Sequence, residues 1–114
     1  MTAAILILIL AACVKNDVLV IGVWEQQIDE FVVRLTFNED ATFFLQVGDH
    51  SRNISGEYQI RGDVILLMDD DCGEFEGKYR VRLRDGSVTF SLLNDACEGR
   101  VSVVVGEWKK AGNQ

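Results

Sequence analysis

The stretch CGEFEGKYRVRLRDGSVTFSLLNDACEGR, from Cys72 to Arg100, decides the fold. Apolar and polar residues alternate on both sides of Asp85-Gly86, a dipeptide that strongly favours a two-residue hairpin turn. The pattern predicts two antiparallel strands with one face against a core and the other in water. The apolar face consists of Tyr79, Val81, Leu83, Val88, Phe90 and Leu92, and the opposite face carries Lys78, Arg80, Arg82 and Arg84.

The same hairpin brings two cysteines together. A hairpin centred on Asp85-Gly86 places Cys72 opposite position 99 and Cys97 opposite position 74. With a bulge or small loop at the open end, the two sulfurs are within reach of a disulfide, worth about 3 to 4 kcal/mol for a loop of this length. Metal binding by the two thiolates with Asp or Glu is the alternative, but no histidine or further cysteine lies nearby at zinc-like spacing.

The composition limits the function classes. The chain has 114 residues, of which 48% are hydrophobic, and a formal net charge of −7. This length and composition fit one globular domain. Nucleic-acid binding depends on cations that neutralise phosphates, so the negative net charge and the lack of a long basic run argue against it. We expect no nucleic acid among the partners.

The first twelve residues, MTAAILILILAA, are an apolar run too short to cross a bilayer. Leu10-Ala11-Ala12-Cys13, at its end, resembles the lipobox of bacterial lipoproteins, in which the signal peptide is cut before a cysteine that then carries lipid. The resemblance implies a signal peptide over residues 1–12, a lipidated Cys13 and a tether over residues 13–17. The run lacks the Lys or Arg that signal peptides normally carry. A buried N-terminal strand with an incidental cysteine is the alternative.

This reading also predicts a location. Acyl chains such as palmitate on Cys13 would hold the protein on a membrane, since each buried methylene contributes about 0.8 kcal/mol. Val14 stands where some Gram-negative lipoproteins carry an acidic inner-membrane retention signal, which favours the outer membrane. We expect a bacterial cell-envelope protein whose domain lies outside the cytoplasm. Without Cys13, the cysteines are an even pair in a compartment where disulfides form.

Six further segments have the pattern of β-strands. They are residues 18–26, 31–37, 43–47, 54–60, 64–68 and 100–108. With the hairpin, they make eight short strands at intervals of about 10 to 13 residues, and no ten-residue helical pattern occurs. The spacing predicts an all-β, antiparallel up-and-down barrel over residues 18–110 with a tail over residues 111–114. A two-sheet β-sandwich is the alternative.

Motifs along the chain resemble those of a known family. Gly22-Val23-Trp24 resembles the Gly-x-Trp motif of the lipocalins. The order GVW, LTFNEDATF (35–43), GEYQIRGDVILL (56–67), the hairpin stretch and GEWKK (106–110) is similar to that of small bacterial lipocalin-like barrels. Their pattern has a cysteine before a Gly-x-Tyr hairpin, then an Asp-x-Cys-x-x-Arg segment and a final Trp with a basic residue. The matching residues are Cys72, Gly77, Tyr79, Asp95, Cys97, Arg100, Trp108 and Lys109, whereas Ala41 replaces a usual Gly.

The resemblance implies an eight-stranded lipocalin-like barrel but no settled activity, because fold does not determine function. It also implies that Arg100, on the last strand, covers the ring of Trp24 in a structural cation–π contact.

Catalytic and metal chemistry find little support. The single histidine, His50, is adjacent to Ser51, but neighbours in sequence are not thereby a base and a nucleophile. Asp69, Asp70 and Asp71 lack the Gly-containing loop with alternate ligands that calcium sites use. We interpret them as an acidic turn that follows an apolar strand. We expect no enzymatic activity, no cofactor and no metal.

The four cations of the hairpin, Lys78, Arg80, Arg82 and Arg84, are a candidate contact surface. Alternate residues on a strand lie about 6.5 to 7 Å apart, so these cations repel one another unless anions lie opposite. Cross-strand pairing with Glu57, Glu74 and Glu76 is one interpretation. Contact with anionic lipid headgroups or an acidic partner is the other.

The barrel interior is the second candidate, since eight strands enclose either packed side chains or one small ligand. The inward residues are expected to be Val20, Trp24, Phe31, Val33, Leu35, Phe37, Phe43, Leu45, Tyr58, Ile60, Leu66, Tyr79, Val81, Leu83, Phe90, Leu92, Val101, Val103 and Val105. One hypothesis is a membrane-anchored binding protein with a small hydrophobic ligand at one mouth, lined by Trp24, Phe43, Tyr58, Tyr79 and Phe90. The alternative is a filled barrel that acts as a structural or protein-interaction module, which includes inhibition of an enzyme.

Overall fold

A computed structural model describes residues 20–48 and 53–111 as a closed barrel of eight antiparallel strands in up-and-down order. The strands are β1 (Gly22–Ile28), β2 (Phe31–Phe37), β3 (Thr42–Val47), β4 (Asn53–Arg61), β5 (Val64–Asp69), β6 (Gly77–Arg84), β7 (Ser87–Asn94) and β8 (Gly106–Lys110). A 3₁₀ turn (Asp70–Cys72) follows β5, and a helix, α1 (Glu98–Val104), precedes β8. The predicted barrel is confirmed over the sandwich. The predicted signal peptide, Cys13, the tether, His50 and Ser51 lie outside the described residues.

The two ends of the barrel differ. At the turn end, residues 38–41, 62–63 and 85–86 connect neighbouring strands. At the disulfide end lie the 3₁₀ turn and α1. Gly22 at the start of β1 pairs with Phe37 at the end of β2, so the described chain enters the barrel at the turn end.

The hairpin of β6 and β7 forms in the predicted register. Arg84 pairs with Ser87 and Leu83 with Val88 around Asp85-Gly86, where Gly86 adopts a left-handed φ of 73° that glycine takes at no steric cost. The register shifts between Lys78 and Tyr79, which is the irregularity expected at the open end. The disulfide between Cys72 and Cys97 forms there, with the two Cα atoms 5.8 Å apart.

The prediction of a last strand from Arg100 to Trp108 is wrong in its first half. Residues 98–104 form α1, and the strand begins only at Gly106. The valines alternate as they would in a strand, but tertiary contacts override that propensity in so short a segment. One helical turn places Arg100 and Val104 on the same side of α1, where both are buried. Val101 is only partly buried, and Val105 is exposed.

The barrel interior is filled mainly by large side chains. The core consists of Val20, Trp24, Val33, Leu35, Phe37, Phe43, Leu45, Tyr58, Ile65, Leu67, Tyr79, Val88, Phe90, Val104 and Trp108. Phe31 and Leu92, which were counted as inward, lie outside this core: they share the alternation of Val33 and Phe90 but are 44% and 48% exposed towards the disulfide end of their strands. Leu66 is also outside this core, because Leu67 is the residue of β5 that pairs with inward-facing Tyr58. In a strand that is apolar on both faces, alternation cannot reveal which face is inward.

Two tryptophans brace opposite ends of the barrel. The indole Nε1 of Trp24 donates to the carbonyl of Val20 at 3.0 Å, and that of Trp108 donates to the carbonyl of Val104 at 2.9 Å. Val20 is helical, so the predicted first strand starts too early. The implied contact of Arg100 with Trp24 is also wrong: Lys110 Nζ lies 5.1 Å from the Trp24 ring centroid, while Arg100 lies on α1 at the other end.

Candidate functional site

A cavity of about 400 Å³ lies at the disulfide end, between α1 and the inner faces of β2, β3 and β4. Leu35 pairs with Leu45, which in turn pairs with Ile54, so three neighbouring strands present aliphatic side chains in one row. The helix supplies the facing wall. The lining comprises Leu35, Phe43, Leu45, Val47, Ile54, Asp69, Asp71, Cys72, Cys97, Gly99, Arg100, Ser102, Val103 and Val104. The cavity is therefore mainly apolar, with the disulfide and several polar groups in its wall.

Arg100 is the central polar group of this wall, and its side chain is only 4% exposed. Its Nε and Nη2 donate to the two carboxylate oxygens of Asp95 at 2.7 and 2.9 Å. Its Nη1 donates to Asp69 Oδ2 at 3.0 Å, and Nη2 also donates to the carbonyl of Phe75 at 2.9 Å. One guanidinium thus joins α1 to the end of β5 and to both segments that flank the disulfide.

The two aspartates continue this network into the backbone beside each cysteine. The amide of Cys97 donates to Asp95 Oδ1 at 2.9 Å, and the amide of Cys72 donates to Asp69 Oδ1 at 3.2 Å. The hydroxyl of Tyr79 donates to Asp95 Oδ2. The disulfide and the Arg100 network therefore hold the same two chain segments together by independent means.

The network shifts the proton affinities of its members. Burial alone would raise the pKa of Asp95, but hydrogen bonds from Arg100, Tyr79 and the Cys97 amide outweigh it, so the pKa of that carboxyl lies below its ordinary value. Burial and the hydrogen bond to Asp95 raise the pKa of the Tyr79 hydroxyl. Burial would lower the pKa of Arg100, but Asp95 and Asp69 raise it above its ordinary value. At neutral pH the network holds one cation and the charged form of Asp95.

The polar groups in this wall are bonded mainly to one another. Among the described residues, every buried side-chain nitrogen and oxygen has a hydrogen-bond partner. Two carboxylates and a carbonyl engage four of the five N–H donors of Arg100. A molecule in the cavity would be held by shape and by apolar contact.

The structure places the five predicted ligand-binding residues in different roles. Phe43 lines the cavity, whereas Trp24, Tyr79 and Phe90 belong to the packed core. Tyr58 is also buried, and its hydroxyl donates to the carbonyl of Asn38 in the first connection of the turn end at 2.7 Å. Phe43, Tyr58 and Phe90 are brought together around the ring of Phe37, with centroids 6.4, 4.9 and 6.1 Å from it.

Several cavity residues escaped the sequence prediction of the site. Leu35 and Leu45 share the inward alternation of Phe43, so that signal was present in the sequence. Val103 and Val104 were assigned to a strand, and Arg100 was expected over Trp24. The position of α1 depends on contacts with residues far away in the chain, such as Asp69, which alternation does not report.

The second candidate, the basic row of β6, is solvent-exposed. Lys78, Arg80, Arg82 and Arg84 all face outward. The interpretation that Glu57, Glu74 and Glu76 pair with them is wrong. Arg80 Nε lies 3.4 Å from Asp63 Oδ2, and the other three cations form no ion pair within the described residues. Their neighbours on β5 and β7 are uncharged: Leu66, Asn94, Thr89 and Ser87.

Other site types have no support in residues 20–48 and 53–111. These residues contain no group of three or more His, Cys, Asp or Glu side chains arranged to hold a metal ion. None of their helices is long and apolar enough to span a bilayer. Comparisons with protein-family models, curated proteins and solved structures find no match to this chain.

Proposed function

We propose that the protein is a lipid-anchored, lipocalin-like binding protein of the bacterial cell envelope that holds a small hydrophobic ligand in the cavity beside α1. The cavity itself is the observation that carries this proposal, because its walls are mainly aliphatic and its volume of about 400 Å³ lies in the range of small-molecule sites. The lipobox-like residues that end at Cys13 supply the anchor and the envelope location. In a Gram-negative host, Val14 favours the outer membrane.

The packed core limits where the ligand can bind. Phe37, the last residue of β2, and the rings packed around it fill the interior towards the turn end. The ligand is therefore expected at the disulfide end, against Leu45, Ile54 and Val103, rather than deep in the lumen as in a cup-shaped barrel. Every methylene removed from water there contributes about 0.8 kcal/mol, so a short aliphatic or aromatic molecule fits this site best.

The test combines native mass spectrometry with a dye titration of the exported domain from Val14 onward, in which Cys72 and Cys97 can oxidise. We expect a bound mass that disappears on denaturation, or saturable binding of the apolar dye N-phenyl-1-naphthylamine. Val103→Phe fills the cavity and should weaken dye binding about tenfold or more, since about 1.4 kcal/mol of lost contact suffices. Val81→Phe is the matched control, because Val81 is also partly buried against the core but belongs to β6.

The alternative is a filled barrel that acts as a structural or protein-interaction module, which includes inhibition of an envelope enzyme. The observation that favours it is the exposure of large apolar side chains near the disulfide end: Phe75, Leu92 and Leu93 are 63%, 48% and 44% exposed. No extra mass, together with equal dye titrations of the Val103→Phe and Val81→Phe variants, would reject the ligand-binding proposal. It would direct attention to protein partners of that surface.

A further inference from the structure

The charges of the barrel are unevenly distributed. The segments at the disulfide end carry the exposed acids Asp29, Glu30, Asp70, Asp71, Glu74, Glu76 and Glu98. The turn end also carries exposed acids, namely Glu39, Asp40, Asp63 and Asp85. Exposed cations occur singly as Arg34 on β2 and Arg61 on β4, but among the described residues they form a continuous group on the outer faces of β6 and β8. In a chain of net charge −7, such a concentration of cations marks a surface with its own electrostatic role.

The basic face consists of Lys78, Arg80, Arg82 and Arg84 on β6 and Lys109 on β8. Arg84 pairs with Ser87, and Ser87 pairs with Lys109, so the row nearest the turn end crosses three strands without an acidic residue. Two acids, Asp63 and Glu107, form ion pairs with the face, and these pairs with Arg80 and Lys109 are long, at 3.4 and 3.5 Å, and exposed. Glu25, the cross-strand neighbour of Lys109, is engaged by Arg34 instead. Lys78, Arg82 and Arg84 have no ion-pair partner among the described residues.

We propose that the basic face lies against a membrane surface that contains anionic phospholipids. The four cations of β6, each about 6.5 to 7 Å from the next, repel one another, and phosphate groups in a bilayer surface relieve that repulsion. Each Lys or Arg that reaches such a surface increases membrane partitioning about fivefold. The surface is that of a sheet and is broad enough for several headgroups.

The entry point of the chain favours a membrane over an acidic protein. Lys109 pairs with Glu25 of β1, so the basic face adjoins the strand with which the barrel begins. Cys13 precedes Val20 by seven positions, a span of at most about 25 Å. An acyl chain on Cys13 therefore holds the turn end near the bilayer, where Arg84 and Lys109 lie. Only this orientation depends on the proposed acylation, whereas the lipid contact depends on the basic face itself.

The test uses the oxidised full chain with Cys13→Ser, which cannot be acylated, and measures co-sedimentation with vesicles. Pure phosphatidylcholine vesicles report any contribution of the apolar N-terminal run, and mixed phosphatidylcholine–phosphatidylglycerol vesicles add the anionic surface. We expect tighter binding to the mixed vesicles, which several hundred millimolar salt abolishes. Lys78→Gln, Arg82→Gln and Arg84→Gln together should reduce that binding about 100-fold.

The matched control has the same net charge but keeps the basic face. Gln27→Glu, Asn53→Glu and Ser55→Glu also lower the charge by three, at exposed positions on β1 and β4. This control should retain most of the preference for phosphatidylglycerol. Equal losses in the two triple variants, or no preference in the parent, would overturn the proposal. If the parent instead binds immobilised polyglutamate through the same three cations and does not bind the mixed vesicles, the face serves an acidic protein.

Ligand binding by the cavity is measured separately, so the two proposals fail independently.

Discussion

Replacing Arg100 by Met should be among the most damaging single changes to this barrel. Met replaces the aliphatic part of the arginine side chain, but the substitution removes four hydrogen bonds, two to Asp95 and one each to Asp69 and the Phe75 carbonyl. It leaves two carboxylates whose side chains are 3% and 0% exposed without a cation. Breaking a buried pair in this way costs about 3 to 5 kcal/mol, a large part of the total stability of a small domain.

The pH dependence of that loss is its diagnostic feature. In the parent, Arg100 helps to hold the pKa of Asp95 below its unfolded value, so Asp95 contributes stability above about pH 4, which is lost as the pH falls through the folded pKa. In the variant, burial is expected to raise the pKa of the Asp95 carboxyl above its pKa in the unfolded chain. The charged carboxylate then destabilises the fold at neutral pH, and this destabilisation disappears at lower pH once the carboxyl is protonated. The stability difference between the two proteins should therefore shrink between neutral pH and about pH 4.

Urea unfolding followed by the fluorescence of buried Trp24 and Trp108 measures this difference. The control is Arg34→Met, because Arg34 also donates two hydrogen bonds to one carboxylate, Glu25, at 3.0 and 2.6 Å. Its side chain is 51% exposed, so we expect a loss below about 1 kcal/mol that changes little with pH. A similar loss for Arg100→Met and Arg34→Met, or a loss for Arg100→Met that persists at about pH 4, would refute this account of the network.

Two further changes test the disulfide end and the inner surface of the barrel. Replacing Cys72 and Cys97 together by Ala should lower the free energy of unfolding by about 2 to 5 kcal/mol, and adding a reducing agent to the parent during urea unfolding should produce the same shift. Gly56→Ala should cost about 3 kcal/mol or more, because the new methyl group would overlap the carbonyl of Met68 and the ring of Phe43. Gly99→Ala is the control, because Gly99 has open space around it and no left-handed φ, so thermal unfolding should show no loss.

The parts of the fold that were predictable from sequence are those set by local signals. The Asp85-Gly86 turn fixes the register of β6 and β7, and alternation fixes which of their faces is inward near the turn. Neither signal acts on α1, where valines favour a strand but the contacts of Arg100 with Asp69 and Asp95 hold a helix. The sequence could not predict which residues of β5 point into the barrel for a different reason, because Leu66 and Leu67 are equally apolar.

The same distinction explains why the candidate site was only partly predicted. Phe43 was identified because it lies on a regular strand whose inward positions can be counted. The opposite wall, with Val103 and Val104, exists only because a helix replaces the expected strand. A cavity between a sheet and an irregular connection cannot be derived from the periodicity of either one, because its shape depends on how the connection is held.

The means by which α1 is held joins the stability of this protein to its proposed function. Cys97 fixes the N-terminal side of the helix through the disulfide, Arg100 fixes its middle through two aspartates, and Trp108 bonds the carbonyl of Val104 at its end. These contacts set the distance between Val103 and the row of Leu45 and Ile54 on the sheet, which is the width of the cavity. A ligand that binds between them stabilises the folded state in proportion to its concentration and affinity. The Arg100 network is therefore a positioning device for the cavity wall.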